Sequence, residues 1–108
     1  MRSGEGKVVR SSVDKLTVER WRNIDAHVVL TAIAGYAKRD PAFVPNKDPR
    51  TQRWYAALNQ REFFLLVTGP KFWDESARTG GGGAIDLVRH LSNCDFLGAV
   101  RKLRSSGL

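Results

Sequence analysis

Three short stretches of this chain place a cation two positions before an aromatic ring: Arg53 before Tyr55, Arg61 before Phe63, and Lys71 before Trp73. In a β-strand, residues i and i+2 point to the same side, so each pair would share a face. If strand register aligns the pairs, that face carries three rings beside three cations, while Trp54, Phe64, Leu66 and Phe72 turn toward the helices. Such a face suits single-stranded nucleic acid, because bases stack on rings at roughly 1 to 3 kcal/mol each while Lys and Arg hold phosphates. The alternative is that these rings complete a hydrophobic core. Leu65 and Val67 lie on the same side as Phe63, so part of the face is buried on either reading. Lys38, Arg39, Lys47 and Arg50, on a proline-bearing stretch upstream, are further candidates for phosphate contact.

Other chemistry finds little support. Cys94 is the single cysteine, which excludes an internal disulfide and any cysteine-based metal site. His27 and His90 are the two histidines; a metal would need scattered carboxylates to complete its shell. No Ser-His-Asp spacing is visible, and Asp74, Glu75 and Asp86 form no recognisable catalytic pair or metal triad. The expectation is therefore a protein that is not an enzyme and carries no cofactor or metal. Gly80 to Gly83 lead into a helical pattern as phosphate-cradling loops do. No Lys-Ser or Lys-Thr follows, however, and no strand feeds a spaced GxGxxG. Close packing of the helix on the sheet is the simpler role, though one backbone phosphate could rest there. Arg101, Lys102 and Arg104 end the last helix, where cations favour the helix dipole in any case.

The elements that must position these residues follow from period and punctuation. With 108 residues, 42% hydrophobic and 27% charged, the chain is long enough for one modest core. Its formal charge of +7 and pI near 10.2 favour a polyanionic partner, nucleic acid first. The longest apolar run, residues 63–67, is far too short to span a membrane, and no apolar segment follows the basic start as a signal peptide requires. No membrane partner and a cytoplasmic location are expected.

Residues 1–18 read as a disordered basic arm. Within 16–24 the pattern is ambiguous between a strand and the beginning of a helix. Asp25 is placed to cap a helix over 26–34, with Gly35 just past its end. Pro41, Pro45 and Pro49 make 38–50 a loop. Strands follow over 53–58, 61–67 and 71–74, joined by turns at Asn59-Gln60 and Thr68-Gly69-Pro70. Ile85, Val88 and Leu91, then Phe96, Val100 and Leu103, mark two helices, with Asp95 capping the second. The expected fold is α+β: a helix, a three-stranded antiparallel sheet, then two C-terminal helices. Residues 19–104 would form the single module and 105–108 a tail.

The stretch Trp73-Asp74, a glycine-rich loop, Gly83-Ala84-Ile85-Asp86-Leu87-Val88 and then Asp95-Phe96-Leu97-Gly98-Ala99-Val100-Arg101-Lys102-Leu103 resembles the zinc-binding N-terminal domain of bacterial-type DNA primases. It is more similar still to the N-terminal segments of Toprim primase-like proteins carried by plasmids and other mobile elements. There, RWY, VTG and WFD-like segments precede a GGGAIDLV helix, matched here by Arg53-Trp54-Tyr55, Val67-Thr68-Gly69 and Phe72-Trp73-Asp74. The similarity runs over about residues 24–104. The Cys/His ligand set of the primase domain is not filled, so the resemblance implies a zinc-ribbon-like fold without zinc, held by packing in place of metal. The family's Toprim segment is absent from this chain. The resemblance implies binding of single-stranded DNA as an accessory in the replication or transfer of a plasmid or mobile element. The alternative is an adaptor that docks a primase, polymerase, helicase or relaxase without touching DNA.

Overall fold

The computed structural model describes residues 14–108. At its start Asp14 stays extended while its carboxylate accepts the Thr17 N–H at 2.8 Å, which nucleates helix α1, Lys15–Arg22. The ambiguous segment is thus helical, and residues 14–18 belong to or cap this helix; the rest of the expected arm lies outside the described residues. Helix α2, Ala26–Ile33, begins after Asp25, whose side chain makes no capping bond; the Ala26 N–H donates instead to the Gly69 carbonyl at 2.7 Å. Ala34, in extended backbone, ends it one residue before Gly35.

The sheet has five strands among the described residues, not the three expected: β1 Tyr36–Arg39, β2 Gln52–Leu58, β3 Arg61–Thr68, β4 Lys71–Asp74 and β5 Thr79–Gly82. They form an antiparallel meander in the order β1-β2-β3-β4-β5. The α+β class stands, but the ribbon of three strands behind one helix does not: α1, β1 and β5 are additional. Strand β1 takes in residues 38 and 39 of the stretch expected as a loop; its four residues carry no alternating apolar pattern to announce it. Strand β5 is Thr79-Gly80-Gly81-Gly82, a composition that β-propensity disfavours. Close approach explains it. A Cβ on Gly80 would stand 2.4 Å from the Phe72 carbonyl oxygen, and one on Gly81 would stand 2.9 Å from the Asp86 Cβ. The glycines let the last strand lie tightly between β4 and the following helix.

Helices α3, Ala84–Ser92, and α4, Phe96–Ser105, form the expected hairpin. Asn93 ends α3 in the left-handed region at φ 52°, and the Asp95 carboxylate caps α4 by accepting the Gly98 N–H at 2.8 Å. The helices lie on one side of the sheet. The core includes Ala56, Phe63, Leu65, Val67 and Phe72 from the strands, packed on Trp21, Leu30, Leu87, Val88, Leu91 and Leu103, among others, from the helices.

Which strand residues enter that core follows from the turns. Asn59 and Gln60 both have positive φ, 52° and 66°, the geometry of a two-residue hairpin loop. Such a loop pairs Leu58 with Arg61, so each partner across β2 and β3 differs in parity: Tyr55 stands opposite Phe64, and Ala56 opposite Phe63. Directly opposed residues share a face. The odd-numbered residues of β2 therefore share a face with the even-numbered residues of β3. Gly69-Pro70 is a second two-residue loop, Thr68 pairing with Lys71, and it exchanges parity again.

Candidate nucleic-acid interface

The helix-free face of the sheet carries Tyr36 and Lys38 on β1, Arg53, Tyr55 and Ala57 on β2, the exposed Glu62 with Phe64 and Leu66 on β3, and Lys71 and Trp73 on β4. None of these residues belongs to the core cluster. Tyr36 is 53% exposed, Trp73 46% and Phe64 37%, so large rings stand open to solvent across the sheet. They form a row. Tyr36 and Tyr55 meet edge to face with centroids 5.9 Å apart, and Tyr55 leans on Phe64 at 5.4 Å. Leu66 follows Phe64 on the same face and stands opposite Trp73, which carries the row onto β4.

Of the three cation–ring pairs, the structure keeps Arg53 with Tyr55 and Lys71 with Trp73 on this face and removes the third. Phe63 is buried on the helix side, where it belongs to the core. Arg61 shares that side: its guanidinium lies 4.9 Å from the Phe63 ring centre, and Nη1 donates to the Leu91 carbonyl near the end of α3 at 3.4 Å. The assignment of Arg61 and Phe63 to a binding face is corrected by the hairpin parity. Phe64 takes the place expected for Phe63, and Leu66 likewise faces outward, while Trp54 and Phe72 turn to the helix side as expected. Tyr36 is a further ring that no sequence signal had marked.

The cations differ in how free they are. Lys38, opposite Tyr55, and Lys71 are exposed on the open face. Arg53 is held: its Nε donates to Glu75 Oε1 at 2.8 Å, its Nη1 stands 3.7 Å from Asp40 Oδ2, and its guanidinium lies 6.0 Å from the Phe64 ring centre. Arg39 is exposed at the strand end, and Lys47 is exposed on the loop over 40–51. Arg50 is bound to Asp48 through its backbone N–H at 2.9 Å and its side chain at 2.9 and 3.2 Å; the side-chain hydrogen bond from Arg50 lowers the Asp48 carboxyl. It lies with Asp25, His27, Gln52 and Val67, around the end of the sheet from the ring row. The ten candidates are thus split: Lys38, Arg53, Tyr55, Lys71 and Trp73 share one face, Arg39 stands opposite Trp54 and so turns to the other side of the sheet, Lys47 lies on the loop, and Arg50, Arg61 and Phe63 do not belong to the face.

The helix side carries one polar pair the sequence did not reveal. His90 Nε2 donates to Asp74 Oδ2 at 2.6 Å, and Asp74 Oδ1 accepts the N–H groups of Ser76 and Ala77, both at 2.9 Å. Burial acts to raise the Asp74 pKa, but the Ala77 N–H, the His90 hydrogen bond and charge, and the Ser76 N–H outweigh it and hold the group below its ordinary 3.8. A carboxyl with a depressed folded-state pKa stabilises the fold fully above its unfolded pKa and loses that contribution as pH falls through the folded one. Urea unfolding of the protein and of Asp74→Asn should therefore show a stability difference that is steady at neutral pH and narrows below about pH 4. A difference independent of pH would contradict the assignment. Sixteen residues separate the two partners, and only the packing of α3 against the end of β4 unites them. The pair reads as a buried link between helix and sheet. Among the described residues no group of three His, Cys, Asp or Glu side chains is placed to hold a metal ion, and no helix is long and apolar enough to cross a membrane.

No family model matches the chain, and no solved structure matches it. Over 53 residues, 49% of the chain, it is 44% identical to a protein described as "65 kDa protein" from Zymomonas mobilis subsp. mobilis. The matched stretch spans 9% of that protein's length, so this chain is similar to a small segment of a much longer one.

Proposed function

We propose that this chain binds single-stranded nucleic acid on the open face of its sheet, as a primase-like, non-enzymatic accessory in the cytoplasmic replication or transfer of a plasmid or other mobile element. The observation that carries the reading is the row Tyr36, Tyr55, Phe64, Trp73 across four adjacent strands, with Tyr36, Phe64 and Trp73 exposed, Tyr55 half-buried between them, and Lys38 and Lys71 flanking it. A duplex keeps its bases stacked on one another and offers these rings nothing, whereas a single strand can splay its bases onto them. The net charge of +7 supports a polyanionic partner. The primase-like resemblance of residues 24–104 supports a role beside replication enzymes, and the five-stranded sheet enlarges the surface available.

A second reading, an adaptor docking another protein or domain on the same face, is favoured by one feature. Arg53, at the centre of the face, is already neutralised by Glu75 and Asp40 and has little charge to offer a phosphate. Tryptophan fluorescence during titration with single- and double-stranded oligonucleotides separates the two. Binding should prefer the single strand. If Lys38 and Lys71 each hold a phosphate, log affinity should fall against log salt with a slope of roughly −1.4. No binding at low salt would favour the adaptor.

A further inference from the structure

Beyond β1 the chain turns at Asp40 and Pro41 and leaves an open cleft at one end of the ring row, about 340 Å³ in volume and lined by Lys38, Asp40, Pro41, Arg53, Tyr55 and Phe64 among others. That volume falls at the lower end of small-ligand sites, roughly 300 to 1,000 Å³. Its walls are apolar where Tyr55, Phe64 and Pro41 stand, with cations at Lys38 and Arg53. One carboxylate interrupts them. Asp40 is fixed by its own backbone, its N–H donating to the Arg53 carbonyl at 2.8 Å, and its Oδ1 accepts the Ala42 N–H at 3.0 Å. Its Oδ2 stands 3.7 Å from Arg53 Nη1, beyond hydrogen-bonding reach, and the side chain is 37% exposed.

We propose that this cleft takes one nucleobase of the bound strand and that Asp40 Oδ2 accepts a hydrogen bond from its exocyclic amine, so that the protein prefers cytosine to thymine. The inference rests on the reading of the sheet as a strand-binding face. An ionised carboxylate only accepts hydrogen bonds. Cytosine presents the N4 amine as a donor, whereas thymine presents the O4 acceptor at the equivalent place. Thymine in the cleft would set its O4 against the carboxylate, acceptor against acceptor, which is the more discriminating half of the effect. Tyr55 and Phe64 supply ring surface for either pyrimidine and so contribute affinity without choosing between them. Lys38 at the rim is placed to hold the phosphate beside the inserted nucleotide.

The test is a comparison of oligo(dC) and oligo(dT) of equal length, by fluorescence anisotropy at slightly alkaline pH, where cytosine is neutral. The expected result is tighter binding of oligo(dC) by about fivefold or more, the lower range for a hydrogen-bonded base contact. Asp40→Asn can keep its oxygen on the Ala42 N–H and turn its amide nitrogen, a donor, into the cleft. In that variant oligo(dC) should lose its hydrogen bond and oligo(dT) gain one from the amide to its O4, so the preference should vanish or reverse toward oligo(dT). Equal affinity of the natural protein for the two strands would overturn the cleft inference while leaving the sheet reading intact. A preference for oligo(dC) that survives in Asp40→Asn would also overturn it. Failure to bind either strand would remove the sheet reading and the cleft with it.

Discussion

Replacing Tyr55 and Trp73 by alanine is expected to weaken single-strand binding by roughly 5- to 150-fold for each ring that loses a stacked base, while the domain stays folded. Both rings lie on the face that no helix covers, and Trp73 is 46% exposed, so their removal opens no cavity in the core. Anisotropy titration gives the affinity and thermal melting by circular dichroism gives the stability of the same sample. A double variant that melts near the parent temperature and binds as tightly would remove the rings from the mechanism. One that fails to fold would show that the outer row supports the sheet in a way the burial does not indicate.

Phe63→Ala should do the opposite. Phe63 is 2% exposed and packs on the helix side with Leu65, Val67 and Phe72. Truncating a buried phenylalanine to alanine costs about 3 to 5 kcal/mol, a large share of the total of roughly 5 to 15 kcal/mol that holds a domain together. Phe64→Ala, one residue along, removes a ring that is 37% exposed and should lower stability far less while weakening strand binding. Urea unfolding of the two variants is a direct check on which ring faces inward. Similar losses of stability from both would contradict the face assignment.

These adjacent phenylalanines show where the sequence was legible and where it was not. The period of 61–67 announced a strand, and Asn59-Gln60 announced its turn. Like spacing in neighbouring strands does not by itself put residues on one face. A two-residue loop makes paired positions differ in parity, so Arg53 and Tyr55 align with Phe64 and Leu66 and not with Arg61 and Phe63. The turn length holds that information, since a two-residue loop alone sets Phe64 beside Tyr55. Lys71 and Trp73 return to the predicted face because a second two-residue loop exchanges parity once more.

Other parts had no such signal. Strand β5 lacks side chains to alternate, and its glycines are explained only by the Phe72 backbone and Asp86 pressing on them. Tyr36 gains meaning from β1 lying against β2, which the intervening prolines obscured. The held state of Arg53 depends on Glu75, a residue of the turn after β4, 22 positions away. By contrast the Asp95 cap and the α3–α4 hairpin were readable because caps and helical periods are local. The sheet reading therefore draws on a pattern seen in the sequence but assembled by register, and its strongest rings, Trp73 and Phe64, came from different sources.

The most direct test of the central claim is an NMR titration of the protein with a single-stranded oligonucleotide at low salt, following backbone and aromatic resonances. The account predicts shifts concentrated on Tyr36, Lys38, Tyr55, Phe64, Leu66 and Trp73, with the buried residues of α3 and α4 little changed. Shifts clustered instead around Val18, Arg22, Ile85 and Phe96, which line a separate cleft on the helix side, or no shifts at all, would contradict it.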